Sequence, residues 1–293
     1  PLVLGTTATQ VSIGDSTTFP ASGQLKLFFN RPGAPSIELD ENTLGGGSIS
    51  GLLKFNNADL AEGRNLLGRM AMGIGMALNE QQNQGLTLDG QLGKDLFALP
   101  TSMPGSTNGS AVGNVTFSDA TQFAASDYEI RFTTPPAGQV VRLSDGKATA
   151  FTDSANLASL QIDGLTFNLT TTGVAGERML FKPFSTAAAD VQALVYSPRD
   201  LAAANPVNAA MGTSNAGTLQ LSGLTAKSGF TAPPIPAGVQ LTFNAGPPTT
   251  YSVTGSTTPP SGTTGLAYTA GTPIVIDGWE ITLKGTPKTG DTV

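Results

Sequence analysis

One long segment with helical periodicity lies in a chain that otherwise consists of short β-type runs, and this mixture restricts the fold. The segment extends from about residue 58 to residue 84, and its apolar residues recur at alternating spacings of three and four. The stripe contains Leu60, Leu67, Ala71, Ile74 and Leu78, and the charged Arg64 occupies one further position of the same spacing. A single helix must bury such a stripe against another element. Because the sequence has no second long helical pattern, the partner is either a β-rich segment of this chain or a helix outside it.

Capping residues indicate where the helix begins and ends. Asn57 is a suitable N-cap, and Gly85 is suited to the position just after the helix. We interpret residues 47–56 as a glycine-rich turn that is followed by a short apolar entry.

Glycines interrupt the predicted helix, and each costs about 1 kcal/mol relative to alanine. These glycines are Gly63, Gly68, Gly73 and Gly75. Close packing is the usual compensation, because a missing side chain lets two backbones approach. Two interpretations stay open. The segment is either an assembly helix, with Leu60, Leu67, Ala71, Ile74 and Leu78 as its candidate contact residues, or an ordinary core helix.

Composition excludes several functions. Charged residues make up 12% of the 293 residues, the net charge is −6 and the pI is about 4.6. Such a chain has no basic surface for nucleic acid or anionic lipid. Without cysteine and histidine, it lacks thiol chemistry and the commonest general base and metal ligand. The longest apolar run, Leu66 to Leu78, contains Arg69 and is too short to span a bilayer.

No residue pattern indicates an enzyme. The glycine run 45–47 lacks the Gly-Lys-Ser/Thr of a phosphate-binding loop. Asp40 and Glu41 form a carboxylate pair, but adjacent residues of an extended segment point to opposite faces. We therefore predict no catalytic residues, no metal site and no cofactor.

The predicted fold class is α+β and predominantly β. Residues 1–110 are predicted to form a partial inner domain with strands and the long helix. Residues 111–205 form a first β module, and residues 206–293 form a second, which is either inserted in the first or packed on it. A stretch rich in glycine, proline and asparagine, residues 101–113, has the character of a linker.

The two β modules resemble copies of one unit. Residues 127–132 parallel residues 238–243, and the six residues from Ile162 parallel the six from Ile276. In each module a Gly-acid pair, Gly176-Glu177 or Gly290-Asp291, follows twelve residues after the turn glycine. The identical offset argues against chance similarity.

Two Asp-Gly pairs predict type I′ hairpin turns at Asp163, Gly164, Asp277 and Gly278. A two-residue turn pairs Ile162 with Leu165 and Leu160 with Phe167. In the second copy it pairs Ile276 with Trp279 and Ile274 with Ile281, so apolar side chains meet in both. Calcium binding by Asp163 and Asp277 is the less favoured alternative, because other oxygen ligands at suitable spacing are missing.

With these elements in place, the sequence resembles the flagellar hook-associated protein 1 family. The resemblance rests on Leu2–Gln10, on Gly46–Phe55, on Leu60–Leu78 and on the return through Asn79–Gly90 and Gly93–Phe97. The β modules, with Ser126–Phe132 and the paired Asp-Gly turns, resemble the outer domains of that family.

The resemblance implies a structural adaptor at the hook–filament junction of the bacterial flagellum. It implies the flagellar hook protein, a second junction protein and further copies of the chain as partners, an extracellular location reached through the flagellar type III export path, and outer domains that are accessible as antigens. The family's long terminal helices are not present in this sequence. We therefore expect a fragment that is mainly monomeric and does not assemble by itself, with the helix stripe turned to the missing helices. The alternative is a β-rich surface adhesin or receptor-binding module.

Overall fold

A computed structural model of the chain describes residues 3–4, 7–39, 43–227 and 238–293. The predicted α+β, predominantly β fold class is confirmed, since one long helix accompanies a series of small antiparallel sheets. Asp40 and Glu41 lie outside the described residues. In the described ranges no helix is both long enough and apolar enough to cross a membrane.

The chain divides into two compact units. The first contains Pro1–Ala77 and Phe97–Gln192, and the second contains Leu78–Leu96 and Ala193–Val293. The domain limits that the sequence suggested, after residues 110 and 205, stay a prediction.

Short hairpins form the N-terminal part of the first unit. The strands are β1 (Val3–Leu4), β2 (Thr7–Ala8), β3 (Gln10–Asp15), β4 (Leu25–Asn30) and β5 (Ile37–Leu39). β1 pairs with β2, and β3, β4 and β5 form an antiparallel sheet in that order. Ile13 lies opposite Leu27, and Leu27 lies opposite Leu39, so one sheet face carries apolar side chains.

The long helix begins earlier than predicted. It runs without a break through α1 (Ser48–Lys54), a π-helical turn (Phe55–Asp59) and α2 (Leu60–Asn83). The predicted turn at residues 47–56 and the predicted N-cap at Asn57 are therefore wrong. Asn57 instead binds β4, because its amide donates to the Leu25 carbonyl at 2.8 Å and its Oδ1 accepts the Leu25 N–H at 3.0 Å.

Gly85 follows the helix, as predicted, but it serves close packing within the second unit. A Cβ on Gly85 would lie 2.6 Å from the Ala202 carbonyl oxygen. The missing side chain therefore lets the segment around Ala202 approach the end of the helix.

The rest of the first unit is built on aromatic packing. Its strands are β6 (Phe97–Ala98), β7 (Ser102–Pro104), β8 (Val112–Phe117), β9 (Tyr128–Thr134), β10 (Ala137–Arg142), β11 (Ala148–Phe151), β12 (Leu165–Thr171), β13 (Arg178–Phe181) and β14 (Gln192–Ala193). Two sheets have the orders β11-β10-β9-β13 and β12-β8-β7. A short helix, α3, spans Ala187–Asp190, and 3₁₀ turns span Ala120–Gln122 and Ser154–Leu160. The core contains Tyr128, Phe132, Phe167, Phe181 and Phe184.

The second unit has a mainly aliphatic core. Its strands are β15 (Gln220–Ala226), β16 (Gln240–Asn244), β17 (Thr250–Thr254), β18 (Leu266–Ala267), β19 (Pro273–Ile276) and β20 (Trp279–Lys284), and a 3₁₀ turn spans Pro198–Asp200. The sheets have the orders β15-β20-β19 and β16-β17-β18. The core contains Leu241, Phe243, Val253, Ile276, Ile281 and Leu283.

The two Asp-Gly turns have the same backbone geometry. Asp163 and Gly164 have φ angles of 52° and 73°, and Asp277 and Gly278 have φ angles of 47° and 80°. Positive φ at both central residues is what a type I′ turn requires. The turns occupy the same position of each module, immediately before the residue that opens β12 or β20.

The strand pairing beyond the turns differs between the modules. In the second, Ile276 pairs with Trp279 and Ile274 with Ile281. In the first, Ile162 bridges to Leu165, but the predicted pairing of Leu160 with Phe167 is wrong. Leu160 ends a 3₁₀ helix that the Asp153 side chain caps, and Phe167 pairs with Val115 of β8.

Candidate functional site: the outer face of the long helix

Helix α2 has two opposite faces of different chemistry. The face that packs on the protein consists of small and polar residues around the core residue Met72, and its buried positions are Asn65, Gly68, Met72, Gly75, Asn79 and Gln82. The opposite face is apolar and lies open. Its first-unit members Leu66, Leu67, Met70 and Ile74, which we call the outer face, are each between 51% and 59% exposed. Large apolar side chains grouped in this way mark interaction surfaces.

The predicted contact residues fall on or beside this outer face. Leu67 and Ile74 belong to it, and Leu60 and Ala71 are half-buried at its border. Leu78, in the second unit, is also exposed. Among the described residues the helix therefore leaves Leu67, Ile74 and Leu78 of the stripe exposed, and it turns its mainly small and polar side to its own chain.

Glycines explain how the inner face packs within the first unit. A Cβ on Gly68 would lie 1.9 Å from the Phe184 carbonyl oxygen, and one on Gly75 would lie 2.6 Å from Leu99 Cδ2. Gly63 and Gly73 have no such neighbour within 4 Å among the described residues. The predicted compensation by close packing thus applies to two of the four glycines.

Polar side chains fix the rotation of the helix in the first unit. Asn65 donates its amide to Asp127 Oδ1 at 2.8 Å, and the Arg69 guanidinium donates to the Phe123 carbonyl at 3.5 Å. Since a net hydrogen bond contributes about 1 kcal/mol, a rotation that buried the outer face would lose these contacts and leave polar groups unpaired.

The end of the helix is anchored by its own polar contacts in the second unit. Asn79 accepts the Leu96 N–H at 2.9 Å. The Gln82 amide donates to the Asp200 carbonyl at 2.7 Å and accepts the Ala202 N–H at 3.1 Å. Our sequence interpretation missed these buried amides. A signal was available, because residues 65, 68, 72, 75, 79 and 82 form a second stripe with spacings of three and four.

The aspartates of the two hairpin turns are engaged by protein donors. Asp163 accepts two hydrogen bonds from Arg142, each at 3.0 Å, and one from the Tyr128 hydroxyl at 2.8 Å. Asp277 accepts the Thr257 and Thr258 N–H groups at 3.0 and 2.6 Å. Across the described ranges, histidine, cysteine and acidic side chains form no group of three that could hold a metal ion.

Comparison with protein-family models relates the chain to flagellar proteins. Residues 1–97 match the model described as flagellar hook-associated protein FlgK helical domain. Residues 103–183 match the model described as flagellar hook-associated protein 1, D2-like domain. The two matches together cover more than half of the chain.

Individual relatives agree with the family models. The flagellar hook-associated protein 1 of Salmonella typhimurium is 32% identical over 208 residues, which are 70% of this chain and 37% of that protein. The Escherichia coli K12 protein of the same name is 31% identical over 211 residues, which are 71% of this chain and 38% of that protein. The chain thus spans little more than a third of the length of these relatives.

A solved structure extends the similarity to the whole fold. The flagellar hook junction protein FlgK from Burkholderia pseudomallei matches with a TM-score of 0.80 at 26% sequence identity. The match covers 100% of this chain and 58% of that chain.

Proposed function

Because the chain belongs to the flagellar hook-associated protein 1 family, we propose that it is part of a structural component of the bacterial flagellum, an adaptor at the hook–filament junction. The family models and the relatives support this proposal. The similar Burkholderia pseudomallei protein is a flagellar hook junction protein. The matched relatives carry flagellar names, which favours the adaptor over a surface adhesin.

The outer face of the long helix is the observation that carries the proposal. Leu66, Leu67, Met70 and Ile74 are more than half exposed on a helix whose other side is firmly anchored. Full burial of an aliphatic side chain contributes about 1.5–3 kcal/mol. Since the outer face has four large apolar side chains, the upper limit for covering all of them is about four times that amount. Helical segments outside this chain are its proposed occupants, and the relatives are long enough to supply them.

The remaining assignments follow from the same proposal. The flagellar hook protein, a second junction protein and further copies of the protein are the proposed partners, and the β modules are directed to solvent. The protein is extracellular, reaches that place through the flagellar type III export path and is not an enzyme. The isolated chain is mainly monomeric, which light scattering measures directly.

Co-sedimentation with isolated bacterial hooks tests the helix assignment in the full-length parent protein. Leu67→Asp and Ile74→Asp each place a carboxylate in the proposed interface, and we expect the bound fraction to fall about tenfold or more. Val275→Asp is the matched control, because Val275 is 58% exposed on β19. Its binding should equal that of the parent. Normal binding of both helix variants would refute the assignment.

A further inference from the structure

A buried amide on the inner face of the helix lacks half of its hydrogen bonds. Asn65 is 4% exposed, and its Nδ2 donates to Asp127 Oδ1 at 2.8 Å. Its Oδ1 atom has no hydrogen-bond partner among the described residues. An unpaired buried acceptor costs about 1–3 kcal/mol, so the arrangement calls for a donor at this point.

Asp127 is enclosed on several sides. Its side chain is 11% exposed, and Lys182 Nζ lies 4.0 Å from its Oδ2 atom. The same lysine donates a hydrogen bond to the Ser22 carbonyl at 3.0 Å. Arg64 lines the same cavity as Lys182. The backbone of Asp127 is also held, because Leu143 donates its N–H to the backbone carbonyl of Asp127. Arg142, the neighbour of Leu143, is paired with Asp145 and Asp163, and so does not neutralise Asp127.

A carboxylic acid and a primary amide are complementary. The amide N–H donates to one carboxyl oxygen, and the acid O–H donates back to the amide oxygen. We propose that Asp127 takes up a proton in the folded protein and donates it to Asn65 Oδ1, which makes the contact between the helix and the first β module dependent on pH. The proton comes from water, and no other bond changes.

The electrostatic surroundings agree with this arrangement. Burial raises the pKa of the Asp127 carboxyl, against the smaller opposing effects of Lys182 and of the Asn65 hydrogen bond. A carboxyl whose folded-state pKa is raised contributes stability fully below its ordinary value of 3.8, and that contribution is lost as the pH rises through the folded-state pKa. The contact is therefore tightest in acid and weakens as the pH rises through the folded-state pKa of Asp127.

Asp127→Asn tests the proposal, because the new amide donates to Asn65 Oδ1 at every pH and carries no charge. We expect its melting temperature to exceed that of the wild type by about 2–4 °C near pH 8. The gain should shrink toward zero as the pH falls to about 4. Asp59→Asn, which removes an exposed carboxylate from the same helix, should not show this gain. A constant gain, a loss of stability near pH 8, or an equal gain in the control would overturn the proposal.

A direct titration keeps the proposal testable if the variant does not fold. The carbon-13 resonance of the Asp127 carboxyl in the wild type, labelled at aspartate, reports its protonation. A midpoint above 3.8 is expected, and a midpoint at or below that value would overturn the proposal.

Discussion

In the first predicted β module the Glu177 carboxylate binds the loop that enters β8, and in the second predicted module Asp291 binds the loop before β15. Glu177 accepts the Ala111 N–H at 2.7 Å, and Asp291 accepts the Ala216 and Gly217 N–H groups at 2.8 and 3.0 Å. We call these two acids the clamp carboxylates. They are 8% and 2% exposed, so each holds a loop from inside its module.

The clamp carboxylates also close their own turns in the same way. Glu177 accepts the Val174 N–H, and Asp291 accepts the Lys288 N–H. In each turn the backbone of the acid donates in return, to the Val174 or Lys288 carbonyl. Such agreement in backbone bonding supports the interpretation of the modules as copies of one unit.

Side chains around the clamps differ. The first module places Glu129 between Arg131 and Arg178, whereas the position three residues before Phe243 in the second module is Gln240. Because Phe132 and Phe243 bond alike to their clamp segments, these positions correspond. Turns and clamps are therefore common to both modules, while the ion pairs of Glu129 are an addition particular to the first copy.

Removing a clamp should have the largest effect. Glu177→Ala leaves the Ala111 and Val174 N–H groups without their acceptor, and we expect a loss of about 3 kcal/mol in the free energy of unfolding. Denaturant unfolding measures it. Asp291→Ala removes the acceptor of three N–H groups in the second module and should also destabilise. If Asp291→Ala had no effect, the correspondence between the two clamps would fail.

The next prediction concerns how the stability contributed by the Glu177 carboxylate changes with pH. Burial raises the pKa of the Glu177 carboxyl, but the N–H donors of Ala111, Val174 and Ser110 outweigh burial and lower it to about 2. A depressed pKa gives stability above the ordinary value of 4.5 that is lost as the pH falls through about 2. The difference in unfolding free energy between wild type and Glu177→Gln should therefore shrink across this window. A constant difference would show that the charge is not what the loop binds.

Exchanging the corresponding residues tests the ion pairs with a smaller effect. Glu129→Gln gives the first module the residue of the second, and replaces one of the two oxygens that accept the Arg178 hydrogen bonds of 2.8 and 2.9 Å with an amide donor. Because the Arg131 and Arg178 side chains are 40% and 44% exposed, water can hydrate them, and we expect a loss of about 1–2 kcal/mol. The reverse change, Gln240→Glu, lies at an exposed position and should be nearly neutral. A larger loss from Gln240→Glu would contradict this account.

Local features of the modules could be predicted from the sequence, and long-range ones could not. The Asp-Gly turns and the Gly-acid pair that follows them depend on neighbouring residues and their spacing. Leu160 was misplaced because the 3₁₀ helix before the first turn is capped by Asp153, a competing local signal. The position of β12 beside β8 joins residues that are distant in sequence, and no local pattern specifies it.

The helix shows the same limit. The spacing of the apolar residues predicted a stripe on the helix, but this spacing does not show which side of the helix packs on the protein. The buried amides Asn65, Asn79 and Gln82 find their partners in segments far along the chain. Asn57 has the residue type of an N-cap, which is why it was predicted to be one. Its actual role is to bind Leu25 of β4, which lies 32 residues away in sequence.

The smallest predicted effect is the removal of one tyrosine hydroxyl from each module. Burial and the Asp163 carboxylate raise the pKa of Tyr128, so its hydroxyl remains a donor to Asp163 at 2.8 Å. Tyr268 donates to the neutral Gly285 carbonyl at 3.0 Å. Thermal unfolding should show a loss of about 1 kcal/mol for Tyr128→Phe and a smaller loss for Tyr268→Phe, because a charged acceptor strengthens a hydrogen bond. Equal losses would mean that Arg142 already satisfies Asp163, and that the ion pair rather than the tyrosine distinguishes the first module from the second.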